Sequence, residues 1–194
     1  MPETTKNPQR SSLRGFIGIQ LDKKTQEYLN KLTTLIKREQ NTKLFANVRW
    51  TALENRHITL CFLGQIPTEI IPALKTGLTS IAQGTTELET NLFKLGTFPG
   101  NSSQLIAAEL AATEQLLTLQ LSVKYLIESL SISTESSSYR PHITLCRSKR
   151  KFQGFSPIEL DHPLTLNNIT LYQSRPSPIG SSYTALQTVP LQPQ

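Results

Sequence analysis

The sequence predicts an α+β protein built from two related lobes. Three observations carry this. Segments with the two-residue period of strands alternate with segments of helical period along the 194 residues. The pentapeptide HITLC occurs twice, at 57–61 and again at 142–146. A long helical stripe precedes each copy. Outside the pentapeptides the two halves do not match in sequence, and the mixed element order leaves the strand pairing open.

Leu13 to Leu21 (LRGFIGIQL) reads as the first strand. Asp22 is suited to cap the helix that follows, because its carboxylate can accept from exposed first-turn amides. Tyr28, Leu29, Leu32, Leu35 and Ile36 fall at helical spacing and form its apolar stripe. Phe45 to Trp50 leads into the first HITL strand, which Gly64 and Pro67 are expected to end. Thr68 is then placed to cap a second helix carrying Ile70, Ile71, Leu74, Leu78 and Ile81. Thr86 to Phe98 alternates as a strand, PGNSS is a turn, and Gln104 to Leu110 is a further strand. Thr113 opens a third helix with Leu116, Leu117, Gln120, Val123, Ile127 and Leu130 on one stripe. STESSS ends it, and RPHITLCR follows as a strand. Leu164 to Gln173 and Tyr183 to Val189 are the last two strands, parted by the turn SRPSPIGSS.

Lys and Arg number 20 against 14 Asp and Glu, a net charge of +6. That balance favours phosphate-bearing partners without amounting to a nucleic-acid signature. The densest basic run, RSKRK at Arg147 to Lys151, directly follows the second pentapeptide, where it can meet an anion. No apolar run approaches the roughly 18 residues of a membrane span, so no membrane partner is expected. The opening MPETTKNPQRSSLRG lacks an apolar segment and does not read as a secretory signal. Residues 1–12 are expected to form a disordered tail and residues 13–194 a single bilobal domain. Both cysteines lie in the pentapeptides, too few for a disulfide framework or a four-ligand zinc site. A reduced, cytoplasmic chain is the simple expectation. With no heptad or exposed apolar run to argue for assembly, the chain is expected to be a monomer.

Side chains alternate between the faces of a strand. His57, Thr59 and Cys61 should therefore share one face, with Ile58, Leu60 and Phe62 on the other. The second copy repeats this with His142, Thr144 and Cys146 opposite Ile143 and Leu145. Side by side, the two strands would form a cleft with facing imidazoles and with the cysteines packed on its floor. Two opposed imidazoles suit an in-line displacement at phosphorus: one takes a proton from attacking water and the other delivers one to the departing oxygen. The threonine hydroxyls can donate to non-bridging oxygens. Two histidines can also share a metal ion, but neither pentapeptide holds a carboxylate, and Glu54 and Glu69 are the nearest to the first. The third histidine, His162, has no partner motif and reads as a loop or strand-edge residue.

With both motifs in view, the chain resembles the two-histidine phosphoesterases, and among them the RNA 2′,3′-cyclic phosphodiesterases, also called 2′-5′ RNA ligases. The blocks that carry the likeness are GFIGIQL, VRWTALENRHITLCFLG, GTFPG, RPHITLCR and LYQSRPSPIGSSYTAL. The resemblance implies a bilobal, pseudo-twofold fold of two antiparallel sheets with helices outside and a central cleft. It implies metal-independent hydrolysis of an RNA 2′,3′-cyclic phosphate to a 2′-phosphate, with 2′-5′ ligation as the reverse, and no cofactor. It casts His57 as proton donor, His142 as proton acceptor, and Thr59, Thr144 and Arg147 as substrate-binding residues. Ser174 and Tyr183 match the family's C-terminal block, Tyr183 in a structural role. The partners implied are RNA ends or nucleotides bearing a cyclic phosphate. Alternatives are a phosphodiesterase for 2′,5′-linked or small cyclic nucleotides, and a non-catalytic RNA or nucleotide binder. The chain departs from its relatives in an uncharged loop at 101–103 and in LIAAEL, where relatives carry basic residues and a tryptophan.

Overall fold

The computed structural model describes residues 11–39, 45, 48–101, 103–134, 138–178 and 180–194. Its elements are β1 (Ser12–Gln20), α1 (Lys23–Glu39), β2 (Arg49–Trp50), β3 (His57–Pro67), α2 (Ile71–Gln83), β4 (Leu88–Thr97), β5 (Leu105–Leu110), α3 (Glu114–Ser129), β6 (His142–Arg147), β7 (Ile158–Leu166), β8 (Asn168–Ser177) and β9 (Gly180–Pro190). The strands form one open antiparallel sheet in the order β7-β4-β5-β6-β3-β1-β8-β9, with β2 added on β6. The sheet has two halves of four strands, each with its HITLC strand innermost. A single residue pair, Ile58 with Ile143, joins β3 to β6 at the seam. The two expected sheets are thus halves of one hydrogen-bonded sheet, closely paired within each half and barely paired between them. Both seam isoleucines are fully buried, each contributing about 1.5–3 kcal/mol of apolar burial.

The helices follow from their apolar stripes. α2 packs on β8 and β9 and against α3, which also covers β3. α1 reaches the opposite half, where the Tyr28 ring stacks on His162 of edge strand β7 at 4.0 Å. Asp22 caps α1 through the Thr25 amide, and Thr113 caps α3 through the Leu116 amide. Leu35 departs from its expected stripe and is exposed, while Thr25 and Thr33 are buried beside Leu29 and Ile36. In α3 the buried stripe takes Leu119 with Leu116, Val123 and Ile127. Among the described residues, no helix is long and apolar enough to cross a membrane.

Several expected boundaries move. Residues 1–10 of the expected tail lie outside the described residues. Ser12 already pairs with Pro67, and Ser11 accepts from the Thr68 amide. Thr68 does not cap α2. Its hydroxyl bonds to Ser11, a single 3₁₀ turn intervenes, and proline stands in the helix's first turn, where its missing N–H leaves no orphan donor. Gly64 does not end β3 but lies within it at φ +66°. The strand expected over Leu164–Gln173 is two strands, β7 and β8, parted at Asn167. Pro163 fits in β7 because an edge strand has ladder positions with no partner to receive an N–H.

Candidate active site

β-bulges reset the faces of both motif strands. Gly18 and Ile17 of β1 pair with Thr59 and Cys61 of β3, leaving Leu60 as the extra residue. Ile106 and Ala107 of β5 pair with Cys146 and Thr144 of β6, leaving Leu145 as the extra residue at the equivalent place. An inserted residue inverts the alternation beyond it. The histidines and threonines therefore keep their expected shared face, but the cysteines do not. Cys61 and Cys146 turn into the main core, and burial pushes the Cys146 thiol up to about 12. Phe62, expected in the apolar face, is instead 53% exposed and lines the cleft.

His57, Thr59, His142, Thr144 and Arg147 all line one cleft of about 530 Å³. Each imidazole is fixed in the same way. His57 Nδ1 lies 2.8 Å from the carbonyl oxygen of Asn55, and His142 Nδ1 lies 2.8 Å from that of Arg140. A carbonyl only accepts, so Nδ1 carries the proton in each neutral ring and Nε2 keeps its lone pair. The Thr59 hydroxyl meets His57 Nε2 at 3.1 Å. The repeated carbonyl two residues before each histidine is a backbone counterpart of the repeated motif.

The environments of the two rings differ. His57 sits among aromatics, 4.6 Å from Phe16 and edge-on to Tyr183 at 5.2 Å. Burial pulls it down to about 4, with His142 and Arg147 adding to the shift and the Asn55 carbonyl opposing it. His142 stacks on Phe98 at 4.0 Å. It is also lowered, chiefly by burial and then by Arg147 and Arg140, against the opposing Arg140 carbonyl and the Glu109 carboxylate. Unliganded, the cleft therefore favours neutral imidazoles. Arg147 acts on both rings, which puts a fixed positive charge within reach of any anion between them.

Of the basic run, Arg147 lines both this cleft and a neighbouring cavity of about 810 Å³, which Ser148 and Lys151 also line. Ser174 and Tyr183 both lie in the cleft wall, with the Tyr183 ring edge-on to His57. His162 lies in edge strand β7 but is buried against Tyr28. Neither Glu54 nor Glu69 lines the cleft. Among the described residues, no group of three or more His, Cys, Asp or Glu is placed to hold a metal.

Sequence reasoning missed Asn55, Phe98, Glu109 and Arg140, which orient or pack the histidines, and Arg14, Arg49, Trp50 and Phe62 in the cleft wall. Phe98 stands in the GTFPG block that carried part of the resemblance. Arg49, Trp50, Asn55 and Phe62 stand in VRWTALENRHITLCFLG and Arg140 in RPHITLCR, with Asn55 and Arg140 each two residues before a motif histidine. Arg14 and Glu109 have no such signal, their roles arising from strand register.

Comparisons with known proteins agree with this fold. A family model described as LigT like Phosphoesterase matches residues 19–107. An RNA 2′,3′-cyclic phosphodiesterase from Geobacillus stearothermophilus is 31% identical over 111 residues, covering 57% of this chain and about a third, 34%, of that relative. The crystal structure of TT0787 of Thermus thermophilus shares the fold with a TM-score of 0.82 at 23% identity, covering 94% of this chain and 100% of that one. E. coli LigT complexed with 3′-AMP does so with a TM-score of 0.76 at 21% identity, covering 93% and 99%. The chain is thus similar to the LigT-like phosphoesterases in sequence over residues 19–107, and it shares the fold of the solved structures over nearly its whole length.

Proposed function

We propose that the protein is a metal-independent RNA 2′,3′-cyclic phosphodiesterase, acting as a cytoplasmic monomer. The observation that carries this reading is the pair of imidazoles in one cleft, each held with Nδ1 on a backbone carbonyl so that Nε2 keeps the lone pair, that of His57 shared with the Thr59 hydroxyl in the unliganded cleft. A cyclic phosphate between them is attacked by water opposite the 3′ oxygen. His142 takes the water proton as the P–O bond to water forms. His57, protonated, delivers its proton as the P–O3′ bond breaks, leaving a 2′-phosphate and a free 3′ hydroxyl. Thr59 and Thr144 donate to the non-bridging oxygens and Arg147 offsets their charge. Because His57 is held low when the cleft is empty, the donor role depends on the anionic substrate raising it, an opposite charge favouring the imidazolium. The reverse sequence would join RNA ends through a 2′-5′ bond. Solved complexes of E. coli LigT, which shares this fold, with 3′-AMP, NADP+ and ATP support a nucleotide as ligand.

The test is hydrolysis of an RNA ending in a 2′,3′-cyclic phosphate, with EDTA present, by the wild type and by His57→Ala and His142→Ala. Activity should survive the chelator, give a 2′-phosphate, and fall by about 10²- to 10⁴-fold in each variant. A 3′-phosphate product, or activity lost to EDTA, rejects the mechanism. The donor is identified with bis(p-nitrophenyl) phosphate, whose good leaving group needs little protonation. The variant lacking the donor should recover on this substrate, and recovery of His142→Ala instead of His57→Ala would exchange the two roles.

A further inference from the structure

The cleft carries more positive charge than one phosphate needs. Arg14, Arg49 and Arg147 line it, and among the described residues no carboxylate does. Arg49 of β2 and Arg147 of β6 are direct cross-strand partners. Like charges directly opposed destabilise a ladder, and β2 has only two residues with which to offset that. Such a pair is stable where anions lie against it. Arg147, next to the second motif, serves the phosphate between the histidines. Arg49 packs instead against the far rim, where a Cβ added to Gly180 would meet its Cδ at 3.5 Å. Gly180 and Ser181 open β9, and with Ser174 and Pro176 of β8 they form the hairpin end of the cleft wall. Asn55 donates to the Ser181 carbonyl at 3.2 Å and so ties this rim to the turn that orients His57. Arg14, from β1 beside β8, also lines the cleft. Both Arg14 and Arg49 are exposed, and neither makes an ion pair among the described residues.

We propose that Arg49 and Arg14 form a second phosphate subsite, for the phosphodiester on the 5′ side of the terminal nucleotide, so that the enzyme selects an RNA strand end over a lone nucleoside cyclic phosphate. This rests on the reacting phosphate lying between His57 and His142. Cross-strand neighbours about 5 Å apart at Cβ, each bearing a long side chain, can serve two phosphates separated by one nucleotide. The phosphate-first logic is that of single-strand binding generally, where cationic side chains follow the backbone without reading the base.

The experiment compares kcat/KM on a nucleoside 2′,3′-cyclic phosphate, on a dinucleotide ending in the same group, and on that dinucleotide with its internal linkage made an uncharged methylphosphonate. The wild type should prefer the charged dinucleotide by about tenfold, equivalent to ~1.4 kcal/mol. That preference should collapse towards unity with the methylphosphonate and in Arg49→Gln, and shrink in Arg14→Gln. A dinucleotide preference equal in the wild type and both variants, or a methylphosphonate handled as well as the charged linkage, overturns the subsite. The methylphosphonate comparison uses wild-type protein and so stands whatever the variants do to folding. Titration calorimetry with a nucleoside 2′-phosphate and a dinucleotide 2′-phosphate reads the same ratio as affinity. If the wild type hydrolyses none of the substrates, the proposed activity falls, and the affinity ratio alone upholds or overturns the subsite.

Discussion

Glu109 Oε2 accepts from Arg140 Nη2 at 2.8 Å, and the same arginine supplies the carbonyl that holds His142 Nδ1. The carboxylate is buried in β5 directly opposite His142 in β6, with Lys94 at 3.7 Å from its other oxygen. The guanidinium also donates to the Pro99 carbonyl at 2.6 Å and lies 4.6 Å over the Phe98 ring, whose centroid is 4.0 Å from that of His142. Glu109 thus acts on His142 twice, by fixing the segment that aims the ring and by favouring its charged form.

Glu109→Gln should lower kcat by about 10- to 100-fold through misplacement of the ring. A purely structural effect would stop there. Because the Glu109 charge raises His142, its removal should also move the pH limb governed by His142 to lower pH. Full pH–rate profiles of wild type and variant check this. An unmoved limb would assign Glu109 to packing alone.

The pH dependence of kcat/KM reports the free enzyme. His57 is held near about 4 and His142 below its ordinary 6.5. One ring must accept a proton and the other must give one. The rate should therefore fall at low pH as the acceptor becomes protonated, and at high pH as the donor loses its proton. With both rings lowered, the alkaline limb of kcat/KM lies below 6.5. The limbs of kcat lie higher, since bound phosphate favours the imidazolium. An alkaline limb of kcat/KM above about pH 7 would contradict the buried setting of both rings.

Thr59 and Thr144 are expected to donate to oxygens whose charge grows in the transition state. Loss of one such donor in Thr59→Val or Thr144→Val should reduce kcat/KM by about 10²- to 10³-fold. Thr→Ser at either position keeps the hydroxyl and should recover most of it. Losses below twofold in the valine variants would remove the threonines from phosphate binding.

Gly18 lies opposite Thr59, beside the Leu60 bulge, and a Cβ there would meet the Ile58 carbonyl oxygen at 2.6 Å. The obstacle is backbone, so β1 and β3 must separate. Gly18→Ala should destabilise the fold by about 1–3 kcal/mol and lower the activity of what remains folded, because His57 and Thr59 share the displaced strand. Urea unfolding and active-site-normalised rates measure the two effects. Unchanged stability would mean that the strands yield freely at this point.

The sequence by itself determined the pair of histidines, the threonines two residues on, the apolar partners Ile58 and Ile143, and the alternation of strands and helices around them. These depend on local periods of two and 3.6 residues, which a chain displays without reference to distant segments. It also suggested the phosphate chemistry, since imidazole and hydroxyl on one strand face have few other uses in duplicate. Tertiary structure alone decided which way Cys61, Phe62 and Cys146 face, because a bulge is a mismatch in count between two paired strands and neither strand shows it alone. It likewise decided that Arg49 stands opposite Arg147, that Glu109 stands opposite His142, and that Tyr183 meets His57. Those pairs join residues far apart in the chain, and only the register of the sheet brings their charges and rings within reach of one another.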